Sequence, residues 1–408
     1  MTSDVASAGE ARASQAQSPT ADARSIHRAV EELAAEWGAE RLERQRRREL
    51  DPADFDRLTE AGLPLIGVPI EHGGVWQDRV HSTRTVCELL RVLATGDSSV
   101  ALVCAMHPVV GFWLATPIVP EPYQAAWDEQ RRRVFSSVRD GAWWGTLVSE
   151  PGSGGDIAQT RAVAKRSPSG YQLFGAKGFG SGSGVTDYML TVAVPEGEEQ
   201  PDLFYLDVRS APWDGSSGMR LSAAWDGLGM IATQSHAFAF NGYPATRVAW
   251  PANVQALAGA VQPYFRCCFT AVFVGIIETA MSTARKQLAT RAKLRPFEQV
   301  EFARAELDAW LVAQAYEGML RAMEGDTSGA ARATVLGKLA VAELAESVLT
   351  RLCRVIGGGT FSHSSPFGNW AQDVRALGFL RPPWALGFDA LLEAPPDDAD
   401  VPATRRSS

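Results

Sequence analysis

The sequence predicts an α+β chain in which a helical N-terminal part and a set of C-terminal helices flank a central β-domain. Three observations carry this. From about Ser25 to Gln130, apolar residues recur at three- and four-residue spacing, the period of an amphipathic helix. From Trp143 the text turns to short alternating or β-branched runs, such as WWGTLVSE, YQLFGAKGF, YMLTVAV, LFYLDV and HAFAFNGYPATRVAW, punctuated by Gly, Pro, Ser and Asp. From about Ala256 the helical spacing returns in four stretches, near 257–288, 297–323, 328–356 and 383–393. Strands and helices do not alternate as βαβ units, and no GxGxxG follows a strand, which argues against a dinucleotide-binding sheet.

Taken in order, residues 1–25 lack the basic-then-apolar order of a secretory signal and read as a disordered tail, as do 395–408. The helical part, 26–142, opens with SIHRAVEELAAEWGAERLERQRRREL. Its basic run at 40–50 mixes acids and leucines at helical spacing and reads as a solvated face. Asp51 and Pro52 form a helix start for DPADFDRLTEAGL. LPLIGVPIEHGG then ends regular structure, and HSTRTVCELLRVLATG and VALVCAMHPVVGFWLA read as two more helices. The β-domain spans 143–255 and the last helical part 256–394.

Composition narrows the function. A net charge of −8 and a pI near 5.4 argue against nucleic acid as a partner. No apolar run approaches the roughly 20 residues of a membrane span; the longest, CCFTAVFVGII (267–277), reads as a buried helix. The five cysteines form no CxxC pair and no pattern with histidine, so no metal site is expected and a reducing, cytoplasmic setting is.

Between two strand-like runs lies KGFGSGSG (177–184), nearly bare backbone. Glycine permits close approach of a flat ligand to the chain, though a flexible hairpin has the same composition. With GVPIEHGG (67–74), SEPGSGGD (149–156), WDGLGMIATQS (225–235) and RVIGGGTF (354–361), this stretch resembles motifs of the acyl-CoA dehydrogenase superfamily, in the family's order over residues 26 to 393. The resemblance implies an N-terminal helical domain, a central β-barrel and a C-terminal four-helix bundle, usually as a homotetramer. It implies a flavin, FMN or FAD, against the barrel. Val148 and Ser149 would meet its pyrimidine edge, with Gly154 on the same segment. Phe179 would flank the ring, Ser181 would lie near its N5 with Gly182 beside it, and Arg291, Gly357 and Gly358 would reach the cofactor's phosphate side.

The departures from the family point to a particular chemistry. A dehydrogenase of this kind needs a carboxylate base, and the position that normally holds it falls at Arg381, which stays protonated and cannot act as one. The family's alternative position, in QPYFRCCF (262–269), also lacks an acid. FGSG (179–182) and WDGLGMIATQS are closer to the two-component flavin monooxygenases of the same fold, which include dibenzothiophene monooxygenase and sugar nitrososynthases. Such enzymes receive reduced flavin from a reductase and use O2. The expected function is a monooxygenase acting on a small organic substrate. The alternatives are an acyl-CoA or acyl-carrier-linked dehydrogenase with a displaced base, and a flavin-free binding protein. Candidate catalytic residues are Ser181, His363, Arg381 and His107, with Ser235 and His236 also polar near the pocket. Asp373 and Arg375 are expected to pair structurally, and Trp143, Trp144, Trp370 and Trp384 to pack or line the pocket.

Overall fold

The computed structural model describes residues 22–111, 113, 118–325 and 329–393. Helix α1 (Ala23–Ala39) starts where the Asp22 side chain accepts from the Arg24 amide. The predicted long helix does not continue through the basic run, because after Ala39 the chain makes only the single turn α2 (Arg41–Arg44). Most of that run is solvated as expected, but one of its cations is not. Arg44 is buried over the Trp37 ring, 4.3 Å from its centroid. It bonds Asp54 at 2.6 Å and Asp97 at 2.8 Å. Two carboxylates and an aromatic face inside the domain outcompete the solvent for one guanidinium.

Helix α3 (Pro52–Glu60) is capped by Asp51, and α4 (Arg79–Gly96) and α5 (Ser98–Cys104) by Asp78 and Asp97. Helix α5 is shorter than the sequence predicts. It stops at Cys104 and a 3₁₀ turn, His107–Val110, follows at Pro108, whose ring and missing N–H do not suit a helix interior. The rest of that run, 112 and 114–117, lies outside the described residues. Helix α6 (Gln124–Arg139) leads to the sheet.

Seven strands follow: β1 (Trp144–Thr146), β2 (Val163–Ser167), β3 (Gly170–Gly180), β4 (Tyr188–Pro195), β5 (Asp202–Asp207), β6 (Met219–Ala223) and β7 (His236–Arg247). The pairing closes on itself. Strand β4 pairs β2, β2 pairs β3, β3 pairs β7, β7 pairs β5 and β5 returns to β4, while β1 and β6 attach to β4 and β7. A closed ladder leaves its ring strands without a free edge. Leu173, Met189, Phe204, Leu206, Phe238 and Phe240 fill the inside by the strand period of two. The β3–β7 register shifts between Lys177 and Gly180, at the glycine-rich segment.

Helices α7 (Val254–Ala289), α8 (Pro296–Glu324), α9 (Ala330–Ile356), α10 (Phe367–Asp373) and α11 (Trp384–Glu393) complete the chain. The apolar run 267–277 lies in the buried helix expected of it, although among the described residues the whole of α7 is the one helix long and apolar enough to cross a membrane. Its most apolar window is 78% buried within the protein, as in a core helix. Cys87, Cys104, Cys267 and Cys268 are buried thiols and Cys353 is half-buried. Asp373 does not pair with Arg375, which bonds Gln372 instead. The Asp373 carboxylate accepts from the Met230 amide at 2.6 Å and the Ser98 hydroxyl at 2.7 Å, tying the 225–235 segment to α5.

Candidate functional site

The glycine-rich segment starts with a lysine that turns inward. Lys177 is 1% exposed, and its Nζ donates to Glu150 Oε1 and the Val192 carbonyl, both at 2.5 Å, and to Thr160 Oγ1 at 3.0 Å. Burial lowers the Lys177 pKa. Burial also pushes the Glu150 carboxyl up, but hydrogen bonds from Lys177 and Thr160 outweigh it and hold the group below its ordinary value. The pair pins SEPGSGGD beneath β3. One residue on, the Gly178 amide donates to the Ser149 carbonyl at 2.8 Å, so the two motifs lie side by side.

That junction leaves a donor available. No described residue accepts from the Val148 amide, whereas Ser149 is paired with Gly178 as an antiparallel bridge. Phe179 adopts a left-handed φ of 55°, is 63% exposed and meets Trp225 edge-on at 6.0 Å. A non-glycine residue there is strained, and such strain concentrates at ligand sites.

Ser181 Oγ lies 2.8 Å from Ser235 Oγ, which lies 2.7 Å from Thr233 Oγ1, which bonds the Met230 carbonyl at 2.9 Å. A carbonyl only accepts and each hydroxyl holds one proton, so the chain runs one way. Thr233 donates to Met230, Ser235 to Thr233, and Ser181 to Ser235. Ser181 Oγ therefore has only acceptor capacity left for a further partner.

The glycines have a different reason than the sequence suggested. A Cβ at Gly182, where φ is +83°, would lie 2.7 Å from Val103 Cγ1, and one at Gly184 would lie 2.2 Å from Gln234 Oε1. The protein's own side chains occupy that space. Only at Gly178 is the backbone open, its nearest neighbour being Ala237 Cβ at 3.9 Å. Gly154 (φ +61°) also has no neighbour within 4 Å.

Arg381 closes the group from the C-terminal side. Its guanidinium donates to the Gly155 carbonyl at 2.5 Å and reaches Ser149 Oγ at 3.4 Å. Burial lowers it to about 10. The neighbouring Pro382 carbonyl accepts from Lys338 on α9 at 2.6 Å. The acids close by are committed: Glu150 to Lys177, and Asp156 as acceptor of the Ala158 amide. Asp373 is raised to about 6 by burial, but both its oxygens are bonded.

The remaining candidates are elsewhere. His107 is a core strut rather than a catalytic group. Its Nδ1 accepts from the Trp144 amide at 3.0 Å, so Nε2 carries the proton and donates to the Pro64 carbonyl at 3.1 Å. Burial lowers it to about 4. Arg291 folds onto the C-terminus of α9, donating to the carbonyls of Val355 (3.0 Å) and Ile356 (2.9 Å). Gly357 and Gly358 follow with open space around them, and His363 is exposed beyond that turn, bonded to no described residue. His236, by contrast, is at the site: it pairs with Gly180 between β3 and β7, and its Nδ1 accepts from the Trp225 amide at 2.9 Å. Trp143, Trp144 and Trp370 are buried, whereas Trp384 is half-buried and stacks on Phe388. The sequence reading missed Arg266 on α7 and Lys338 on α9, each a lone cation in apolar helical text. That isolation was the available signal.

No family model matches the chain. It is 27% identical to the amino sugar nitrososynthase DnmZ of Streptomyces peucetius, over 80% of this chain and 82% of that protein. It is 27% identical to a dibenzothiophene monooxygenase of Mycolicibacterium goodii (69% and 66%). It is 25% identical to the probable FMNH2-dependent monooxygenase SfnC of Pseudomonas putida (69% and 66%). Among solved structures it superposes on FMN-bound TdsC of Paenibacillus sp. A11-2 with a TM-score of 0.75 at 20% identity, covering 91% of this chain and 98% of that one. On butyryl-CoA dehydrogenase of Megasphaera elsdenii the TM-score is 0.74 at 18% identity, with coverage of 90% and 98%.

Proposed function

The chain has the acyl-CoA dehydrogenase-like fold, and on that premise we propose that it is a flavin-dependent monooxygenase acting on a small organic substrate. Relatives named as monooxygenases and an FMN-bound neighbour support the reaction class. The observation that carries the reading is the site itself. A cradle of an available amide, an exposed ring and a hydroxyl acceptor meets Arg381, and the acids bonded beside it, Glu150 and Asp156, are engaged by Lys177 and the Ala158 amide.

These residues fit a flavin. FMN or FAD would rest with its pyrimidine edge on the Val148 amide beside Ser149 and its ring beside Phe179, along the Gly178–Gly182 backbone, with Gly154 leaving room nearby. Bound and reduced, it supplies the electrons for O2 activation. Ser181 Oγ, oriented by Ser235 and Thr233, would serve as an acceptor for an N–H of the bound ring. Arg381 cannot remove a proton and instead neutralises negative charge at the ring or substrate. Arg291, Gly357 and Gly358 serve the phosphate side of a flavin held by a second copy, and His363 lies at that junction. The reading takes 26–142, 143–255 and 256–394 as three structural units, the chain as a cytoplasmic homotetramer, and a reductase as the source of reduced flavin.

The test is a titration of purified protein with reduced FMN and FAD, with ring fluorescence reporting binding, followed by admission of ¹⁸O2 with candidate substrates. Label in a product supports the assignment. Anaerobic oxidation of acyl-CoA with electrons passed to a dye would establish the dehydrogenase instead. A colourless protein that binds neither flavin in either redox state would be a binding protein.

A further inference from the structure

Two cations in the C-terminal helices have no counter-anion among the described residues. Arg266 is 7% exposed and Lys338 is fully buried. The Arg266 guanidinium donates to Gln262 Oε1 at 2.7 Å and, at 3.3 Å each, to the Ala331 carbonyl and Thr334 Oγ1, while its Nε is buried without a partner. Lys338 Nζ is bonded to one described acceptor, the Pro382 carbonyl. Neither forms an ion pair with a described carboxylate, although Arg44 and Lys177, the other buried cations among the described residues, both do.

The two belong to one locus. Thr334 and Lys338 sit one turn apart on α9, Thr334 touches Arg266, and Lys338 holds the peptide that follows Arg381. Burial lowers Lys338 to about 7, helped by the positive charge of Arg266, and lowers Arg266 to about 10. These are the directions expected of cations deprived of both water and counter-charge. An isolated buried charge costs several kcal/mol unless something neutralises it. Through Arg381 the locus adjoins Ser149 and Gly155, the segment assigned above to the flavin.

Resting on the flavin monooxygenase reading, we propose that Arg266 and Lys338, with Arg381 at the flavin end, form the receptor for an oxyanion group of the substrate, so that the substrate is an organic carboxylate, sulfonate or phosphate. Arg266 presents an unengaged Nε beside terminal nitrogens already bonded to Gln262, Ala331 and Thr334, and Lys338 a point charge with two N–H groups beyond its bond to Pro382, a set matched to an anion of two or three oxygens.

The experiment uses the full-length protein with acetate, methanesulfonate and inorganic phosphate as probes, against sodium chloride at equal ionic strength. Unfolding temperature and calorimetric titration are the readouts. Wild type is expected to bind at least one probe saturably, with Lys338→Met and Arg266→Met each weakening it about tenfold or more and Lys338→Arg retaining it. FMN fluorescence on the same samples separates the two readings. Oxyanion binding without flavin binding supports the receptor and sinks the monooxygenase. Flavin binding with no probe response beyond chloride, or with Lys338→Met binding as wild type does, overturns the receptor alone.

Discussion

Lys177 and Lys338 are both buried lysines in one chain, and their surroundings are opposite. Lys177 meets a carboxylate, a hydroxyl and a carbonyl, all supplied by the protein. Lys338 meets a single carbonyl beside another unpaired cation. A charge completed from within is a brace, because its partners persist whether or not a ligand is present. A charge left incomplete must either lose its proton or be completed by something added. Burial alone therefore does not separate architecture from recognition; the partner inventory does.

The largest effect that would break this contrast is at Lys177. Lys177→Met leaves Glu150 buried without its counter-ion, and urea unfolding should show a loss of about 3–5 kcal/mol. A loss below about 1 kcal/mol would mean that the pair is not a brace.

Next is His107, whose folded value of about 4 lies below its ordinary 6.5. The unfolded chain takes up a proton between those values and the folded chain does not. Its contribution is thus complete above pH 6.5 and lost as pH falls toward 4. The stability difference between wild type and His107→Asn should shrink by up to ~3 kcal/mol over that window. Comparing each pH against the variant removes the opposing term from Asp373, which burial raises to about 6. A difference that stays flat would show that the ring is not held neutral.

Smaller still, Gly182→Ala should cost about 1–3 kcal/mol in unfolding, since it adds a Cβ against Val103 at positive φ. The smallest change is expected at Lys338. Lys338→Met should alter stability by no more than about 2 kcal/mol in either direction, removal of an uncompensated charge offsetting the orphaned Pro382 carbonyl. A loss as large as that for Lys177→Met would erase the contrast.

Much of the site was legible because its motifs are local. SEPGSGGD and FGSG each carry their turn chemistry in a few residues, and the structure sets Ser149 against Gly178. What the sequence hid was long-range. Arg44 looked solvated because Asp54 and Asp97 cannot be assigned to it from spacing. His107 stood as a catalytic candidate because its partners, the Pro64 carbonyl and the Trp144 amide, are backbone groups that spacing does not reveal. The glycines at 182 and 184 looked like ligand clearance, and only packing shows Val103 and Gln234 in the way. Arg266 and Lys338 could be noticed as odd residues, but their lack of acids is a statement about three-dimensional neighbours.

The circular strand pairing also constrains how the protein is made. Tyr171 pairs with Ala245, and β7 bonds β3, β5 and β6, so its arrival completes three interfaces at once. On a ribosome the first helices can collapse early, but the cylinder cannot seal until residue 247 has emerged. Until then β3 and β5 present unsatisfied backbone, and this nascent stage is where holdase chaperones would act and where truncated products would aggregate.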